Sequence, residues 1–264
     1  MIFVTNDDGI EAMGLQVLAR ALESLDEVYI VAPDRERSAI GMAITLHRPL
    51  RTEQVADRAY SVDGTPVDCV DLAVGALLPE RPKLLVSGIN HGQNLGNDLH
   101  FSGTIAAAKK GTFLGIPSIA VSLAFEQAPI HNHTNSERQA MLHYETAGTI
   151  ARRLAKQVIA NGMPDQILLN VNVPNAALSE IEGTEITRQD LGTYSANAIE
   201  RLDRRGRPYY WIGGERGQVD HGEDTDLHAI RNQQVSITPV QLDFTAHHLI
   251  ESLTAWLNDE NMQL

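Results

Sequence analysis

One cysteine, few aromatics and an outnumbered set of basic residues set the first limits on this 264-residue chain. With Cys69 alone, no internal disulfide is possible, which accords with a reducing, cytoplasmic compartment. No apolar run approaches the roughly 20 residues that span a bilayer, and no basic leader precedes an apolar one. Neither a membrane anchor nor a signal peptide is therefore expected. Lys and Arg number 21 against 34 Asp and Glu, a net charge of −13. That sign argues against binding a nucleic-acid polymer or an anionic membrane surface. A small anionic substrate stays open, because one bound metal ion reverses the local field. Three signatures are also missing: the P-loop, the dinucleotide-binding G-x-G-x-x-G and the G-x-S-x-G elbow. An aspartyl-phosphate enzyme of the haloacid-dehalogenase type would want a second acid two positions beyond its nucleophile, and Gly9 stands two beyond Asp7.

What the chain does have is 43% hydrophobic residues, enough for a sizeable core, in short runs that alternate with amphipathic segments. Runs at 1–5, 27–32, 83–87, 118–122 and 166–171 read as strands, with shorter ones at 43–46, 50–55 and 59–62. Segments 14–25, 66–77, 104–114 and 136–160 read as helices, the first carrying Leu15, Leu18, Leu22 and Leu25 on one face. This alternation predicts a three-layer, Rossmann-like α/β fold with a mostly parallel sheet. Beyond residue 175 the pattern changes. Arg204-Arg205-Gly206 reads as the tip of a hairpin with an aromatic strand at 207–214, residues 235–240 as a strand returning to the core, and 245–258 as a terminal helix. The expected organisation is a core of 1–180 joined by 215–242, an extension at 181–214 with a protruding β-hairpin, and a C-terminal segment at 243–264. An aromatic hairpin and an apolar terminal helix outside the core need a cover, and a partner subunit is the economical one.

Polar residues collect where three apolar strands end. Asn6-Asp7-Asp8-Gly9 follow the first, "PDRERSAIG" with Asp34 and Ser38 follows the second, and "GINHGQNLGNDLHFSG" with Asn90 and Asn94 follows the strand at 83–87. In an open parallel sheet such loops share one rim, where ligands bind. Two adjacent carboxylates repel unless a cation lies between them. Asp7, Asp8, the Ser38 hydroxyl and the Asn90 amide oxygen form a plausible half-shell for one Mg²⁺ or Mn²⁺, both of which prefer oxygen ligands. Asp and Asn before Gly are also ordinary turn and cap residues, so this motif alone leaves both readings open. In "FSGTIAAAKKG", hydroxyls and a glycine precede an alanine-rich helix. Such a start binds phosphate through its backbone N–H groups, with Ser102, Thr104 and Asn94 as further donors, or is simply a capped helix. "HNHT" (131–134) and "DHGEDTD" (220–226) are weaker candidates: histidines in a polar loop, and a capped turn before Leu227 or a second ion site. Cys69 reads as packing.

These residues resemble the SurE family, the survival-protein 5′/3′-nucleotidases. The likeness lies in "FVTNDDGIEAMGLQVLARAL", "VAPDRERSAIGMAITLHRPLR", "VDGTPVDCVDLA", "LLVSGINHGQNLGNDLHFSGTIAAAKKG" and "GIPSIAVSL", and it resumes in "LLNVNVP", "YYWIGG" and "TDLHAIRNQQVSITPVQLDFTA". The resemblance implies a divalent-metal phosphatase acting on nucleoside monophosphates, with 3′-nucleotides and short polyphosphates as further substrates. It implies metal ligands at Asp7, Asp8, Ser38 and Asn90, catalysis through Asp7 and Asp8, and a phosphate loop of Asn94, Ser102, Gly103 and Thr104. It also implies a homodimer or homotetramer with an exchanged C-terminal segment. Phe101 stands where many relatives carry Tyr, and His91 occupies a variable place. The alternative from another class is a nucleotide-binding regulatory module without turnover.

Overall fold

A computed structural model describes residues 1–125, 141–192, 197–213 and 222–257. Eleven strands are found among them: β1 (Ile2–Thr5), β2 (Val28–Pro33), β3 (Thr52–Ala56), β4 (Ala59–Val62), β5 (Leu84–His91), β6 (Ser118–Ala124), β7 (Ile167–Pro174), β8 (Gly183–Ile186), β9 (Asn197–Leu202), β10 (Pro208–Gly213) and β11 (Gln234–Gln241). The described α-helices are α1 (Met13–Leu22), α2 (Pro66–Leu72), α3 (Gly103–Phe113), α4 (Tyr144–Asn161), α5 (Asp226–Arg231) and α6 (Ile250–Leu257).

Nine strands form one sheet in the order β3-β4-β2-β1-β5-β6-β7-β11-β8. Six neighbouring strands, β4, β2, β1, β5, β6 and β7, run parallel, while β3 and β11 pair antiparallel with β4 and β7. Numbered among themselves in chain order, those six lie 3-2-1-4-5-6, the doubly wound order. Its direction reverses between β1 and β5, and a crevice opens there at the strands' carboxyl ends.

The alternation along β1 decides the layers. Ile2 and Val4 pack with Leu15, Leu18 and Leu22 of α1 and with Ala147, Ile150 and Ala151 of α4. Phe3 points the other way, into a second core with Cys69 and Val70 of α2, Leu85 of β5 and Ala107 of α3. The strands are buried on both faces, so they read as unbroken apolar runs. Helix α2 starts on a capping box: Thr65 Oγ1 accepts the Asp68 N–H and the Asp68 carboxylate accepts the Thr65 N–H, with Pro66 in the first turn. The helix stripe Leu15, Leu18 and Leu22, spaced three and four apart, explains why α1 forms over most of the expected 14–25, although it ends at Leu22 rather than Leu25.

Several expectations are corrected. Residues 43–46 do not form a strand. Their polar groups are taken by the α2 cap instead: Thr45 N–H and Oγ1 donate to Asp68 at 2.9 and 2.6 Å, and Thr65 Oγ1 donates to the Ala43 carbonyl at 2.7 Å. The helix expected over 66–77 is α-helical only to Leu72, after which Ala73–Leu77 forms a wider π turn. The long helix begins at Tyr144 rather than 136, because Asn175 beyond β7 binds the His143 N–H and the Met141 carbonyl; residues 136–140 lie outside the described set. The polar stretch after residue 180 holds an edge strand, β8, parallel to β11, so the main sheet continues into the segment expected to be extension. The hairpin β9–β10 is a separate two-stranded antiparallel sheet. Its tip falls at Arg204-Arg205-Gly206, held by Asp203, whose carboxylate accepts the Arg205 and Arg207 N–H groups. A 3₁₀ turn, His247–Leu249, precedes α6. "HNHT" lies outside the described residues.

Candidate active site

The crevice between β1 and β5 gathers most of the residues singled out above. Asp7 and Asp8 follow β1, Asn90 lies near the end of β5, and the first turn of α3 comes down beside them. Asp7 is buried, and the Thr104 hydroxyl donates to its Oδ1. The same hydroxyl oxygen lies 3.2 Å from Asn90 Oδ1. A hydroxyl has one proton, so three oxygens share it and the Asn90 oxygen keeps an unmet acceptor. Asn90 Nδ2 donates to the Gly92 carbonyl at 2.8 Å, which holds the amide oxygen toward Asp7 and Thr104. Asp8 Oδ2 accepts the His91 N–H at 3.0 Å.

Both acids are pushed up to about 6. For Asp7 burial is the main cause, then the charge of Asp8, against the Thr104 hydrogen bond; for Asp8 it is burial, opposed by the His91 N–H and reinforced by Glu36. Among the described residues neither forms an ion pair. A pair of desolvated carboxylates, a free amide oxygen and no protein cation is a donor set made only of hard oxygens, which fits a divalent ion such as Mg²⁺ or Mn²⁺. Among the described residues no three His, Cys, Asp or Glu side chains are grouped so as to hold a metal ion, so within that set the further donors beside Asp7 and Asp8 are neutral oxygens such as that of Asn90.

Ser38 is placed differently. Its loop is tied to the site by the Arg37 N–H, which donates to the Asp7 carbonyl at 2.7 Å. The Ser38 hydroxyl itself is exposed and donates to Glu36 at 2.8 Å. Glu36, whose charge acts on Asp8, carries no signal of its own in the sequence, because it sits in a run of alternating charges.

The residues expected to hold phosphate split into two groups. Ser102 caps α3, its oxygen accepting the Ile105 N–H at 3.1 Å, and Gly103 begins the helix against Asp7. Asn94 is buried in an amide network instead: its N–H donates to Asn172 Oδ1 at 2.8 Å, its carbonyl accepts from Asn170 and Asn172, and its Nδ2 donates to Ser122 at 2.8 Å. One amide proton of Asn94 remains. Asn170 and Asn172 lie in the apolar run of β7, and their two-residue spacing puts both on one face. His91 borders the site, its Nδ1 2.8 Å from the Tyr144 hydroxyl and its ring edge-on to Phe125. Within "DHGEDTD", Thr225 caps α5 as expected of a capped turn, and Asp226 is fully buried. Cys69 is buried in the second core, and desolvation raises its thiol pKa, in keeping with a packing role.

Comparison with known proteins matches this geometry to one family. The family model "Survival protein SurE" matches residues 2–196. A Pelobacter propionicus protein named 5′-nucleotidase SurE is 50% identical over 256 residues, covering 97% of this chain and 99% of its own. A Geobacter sulfurreducens protein of the same name is 44% identical, covering 97% of this chain and 93% of its own. The crystal structure of the SurE protein from Aquifex aeolicus superposes with a TM-score of 0.83 at 37% identity, over 98% of this chain and 99% of that one. With the motif order, the doubly wound sheet and these matches in agreement, the chain belongs to the SurE family.

Proposed function

We propose that the chain hydrolyses nucleoside 5′-monophosphates to nucleoside and phosphate with the help of one divalent ion, Mg²⁺ or Mn²⁺. The observation that carries this reading is the acid pair beside the start of α3, Asp7 buried and Asp8 half-buried, with no ion-pair partner among the described residues. The name 5′-nucleotidase borne by relatives at 44–50% identity supports the substrate class. Asp7, Asp8 and Asn90 would hold the ion, with Ser38 joining when its hydroxyl turns from Glu36. Such an ion, when bound, neutralises the carboxylates and polarises a phosphoryl oxygen.

The chain's own groups do the rest. The N–H groups at the start of α3 face an anion with the positive end of the helix dipole behind them, and Ser102, Gly103 and Thr104 shape that cradle. Asn94 adds its remaining amide proton. Asp7 is engaged by Thr104, whereas Asp8 keeps one oxygen outside the cluster's hydrogen bonds; we assign Asp8 the proton of the attacking water. The same cradle would accept 3′-monophosphates and short polyphosphates. We further propose a cytoplasmic homodimer or homotetramer built through the hairpin and α6. Ile212 at 96% exposed, with Trp211 and Trp256 mostly exposed, supports this, since such surfaces seek cover.

Phosphate release from AMP and GMP, with Mg²⁺ or Mn²⁺ and again with a chelator, tests the reading. Metal-dependent release lost on chelation is expected. Nucleotide binding without release under any metal would leave only the regulatory module. Light scattering of the same sample reads the oligomeric state.

A further inference from the structure

Residues 94–104, which run from the connection after β5 into the first turn of α3, are held from outside by side chains distant in sequence. The strongest hold is Asp226. Its side chain is fully buried, and its two oxygens take three backbone N–H groups: Oδ2 that of Gly96 at 2.8 Å, and Oδ1 those of Asp190 at 3.0 Å and Leu227 at 2.8 Å. The Gly96 contact spans 130 residues of chain. Its own N–H donates to the Arg188 carbonyl at 2.9 Å, so Asp226 joins three segments. Around it, Gln189 Nε2 donates to the Gly96 carbonyl at 3.0 Å and Asn97 Nδ2 to the Gly192 carbonyl at 2.7 Å. Gly96 has φ +53, and a methyl there would lie 2.9 Å from the Asp190 carbonyl oxygen, so the two segments touch through backbone. Burial raises the pKa of this carboxyl and the three backbone donors oppose that rise; removing an acceptor leaves those donors unmet.

We propose that Asp226 is a positioning residue for phosphate: by gripping the Gly96 N–H it sets residues 94–104 so that Asn94 and the start of α3 face one oxyanion. This rests on the phosphate cradle described under the proposed function. It assigns a task to a carboxylate that touches neither the paired acids nor the expected metal ligands. The metal cluster also has supports outside this segment, the His91 N–H on Asp8 and the Arg37 N–H on the Asp7 carbonyl, so the two functions separate in a variant.

Asp226→Asn preserves size but turns an NH₂ toward a backbone N–H whichever way the amide is set. Two measurements on the full chain read the result: inhibition of turnover by inorganic phosphate, and Mn²⁺ binding to the free protein by paramagnetic resonance. Phosphate inhibition should weaken by about tenfold, the scale of one misaligned cradle, while Mn²⁺ affinity stays within about twofold of wild type. Gln189→Ala, a milder change on the same loop, should weaken phosphate inhibition by about threefold. A folded Asp226→Asn that kept wild-type phosphate inhibition, or lost phosphate and Mn²⁺ alike, would overturn the proposal. If that variant does not fold, unchanged phosphate inhibition in Gln189→Ala overturns it. A wild-type protein that neither turned over monophosphates nor bound phosphate would instead remove the functional reading, and this inference with it.

Discussion

Gly103 is pressed against Asp7. A methyl group added to Gly103 would lie 2.8 Å from both the Cβ and the Oδ2 of Asp7, closer than side-chain carbons approach one another. The helix that offers its N–H groups and the acid that would hold the ion therefore share one contact surface. Gly103→Ala must push α3 from β1 or turn the Asp7 carboxylate. We expect a fall of about 100-fold in kcat/KM for AMP, the cost of a displacement near 1 Å at a reacting centre. Steady-state kinetics beside a thermal melt check this, and wild-type turnover would contradict it.

Thr104 links both halves of the site through one hydroxyl, which donates to Asp7 and lies next to the Asn90 oxygen. Thr104→Val preserves shape and removes the proton. It should lower kcat/KM by about ten- to 100-fold, whereas Thr104→Ser retains most activity. Equal activity in the two variants would show that the hydroxyl is not used.

The paired acids make stability depend on pH and on metal. Asp7 and Asp8 titrate at about 6 in the fold against an ordinary 3.8. Between those values the folded chain holds more protons than the unfolded one, so this contribution is present in full below about pH 4 and is lost as pH rises through about 6. We expect the melting temperature of chelated protein to fall between about pH 4 and 6 from this source. Asp7→Asn should flatten that fall and abolish turnover, and Mg²⁺ or Mn²⁺ at neutral pH should raise the melting temperature of wild type but not of the variant. A melt indifferent to both pH and metal would contradict this.

Asp68 anchors the loop that was expected to be a strand. It accepts from the Thr45 N–H and hydroxyl and from the Thr65 N–H. Asp68→Ala leaves these donors unmet and removes half of the α2 capping box, so a loss of about 2–4 kcal/mol in unfolding free energy is expected. Denaturant unfolding measures it, and a loss below about 1 kcal/mol would mean that water replaces the carboxylate.

Much of the fold was legible because its signals are local. The apolar runs that became β1, β2, β5, β6 and β7, and the Leu15–Leu18–Leu22 stripe, follow from the periods of strand and helix. Where the structure departs from local signals, a distant partner decides the matter. Residues 43–46 carry β-branched and apolar side chains, yet Asp68 takes the Thr45 N–H and Thr65 the Ala43 carbonyl. The start of α4 is set by Asn175. Strand β8 is polar and exposed at alternate positions, and it exists because β11 lies beside it. In the site, the motifs named Asp7, Asp8, Asn90, Ser102 and Thr104, but not Asn172 or Asp226. Those two act through backbone groups remote in sequence, and no spacing encodes that.

The sequence by itself determined the alternation of strands and helices, the loops that carry chemistry and the family to which the chain belongs, since each is written in neighbouring residues. Only the tertiary structure decided which oxygens meet: that one hydroxyl donates to Asp7 while lying next to the Asn90 oxygen, that Ser38 turns toward Glu36, and that Asn94 is held by β7. The reason is physical. Periodicity and turn preference act within a few residues, whereas a hydrogen bond between buried groups is fixed by how the layers pack, and packing is a property of the whole chain.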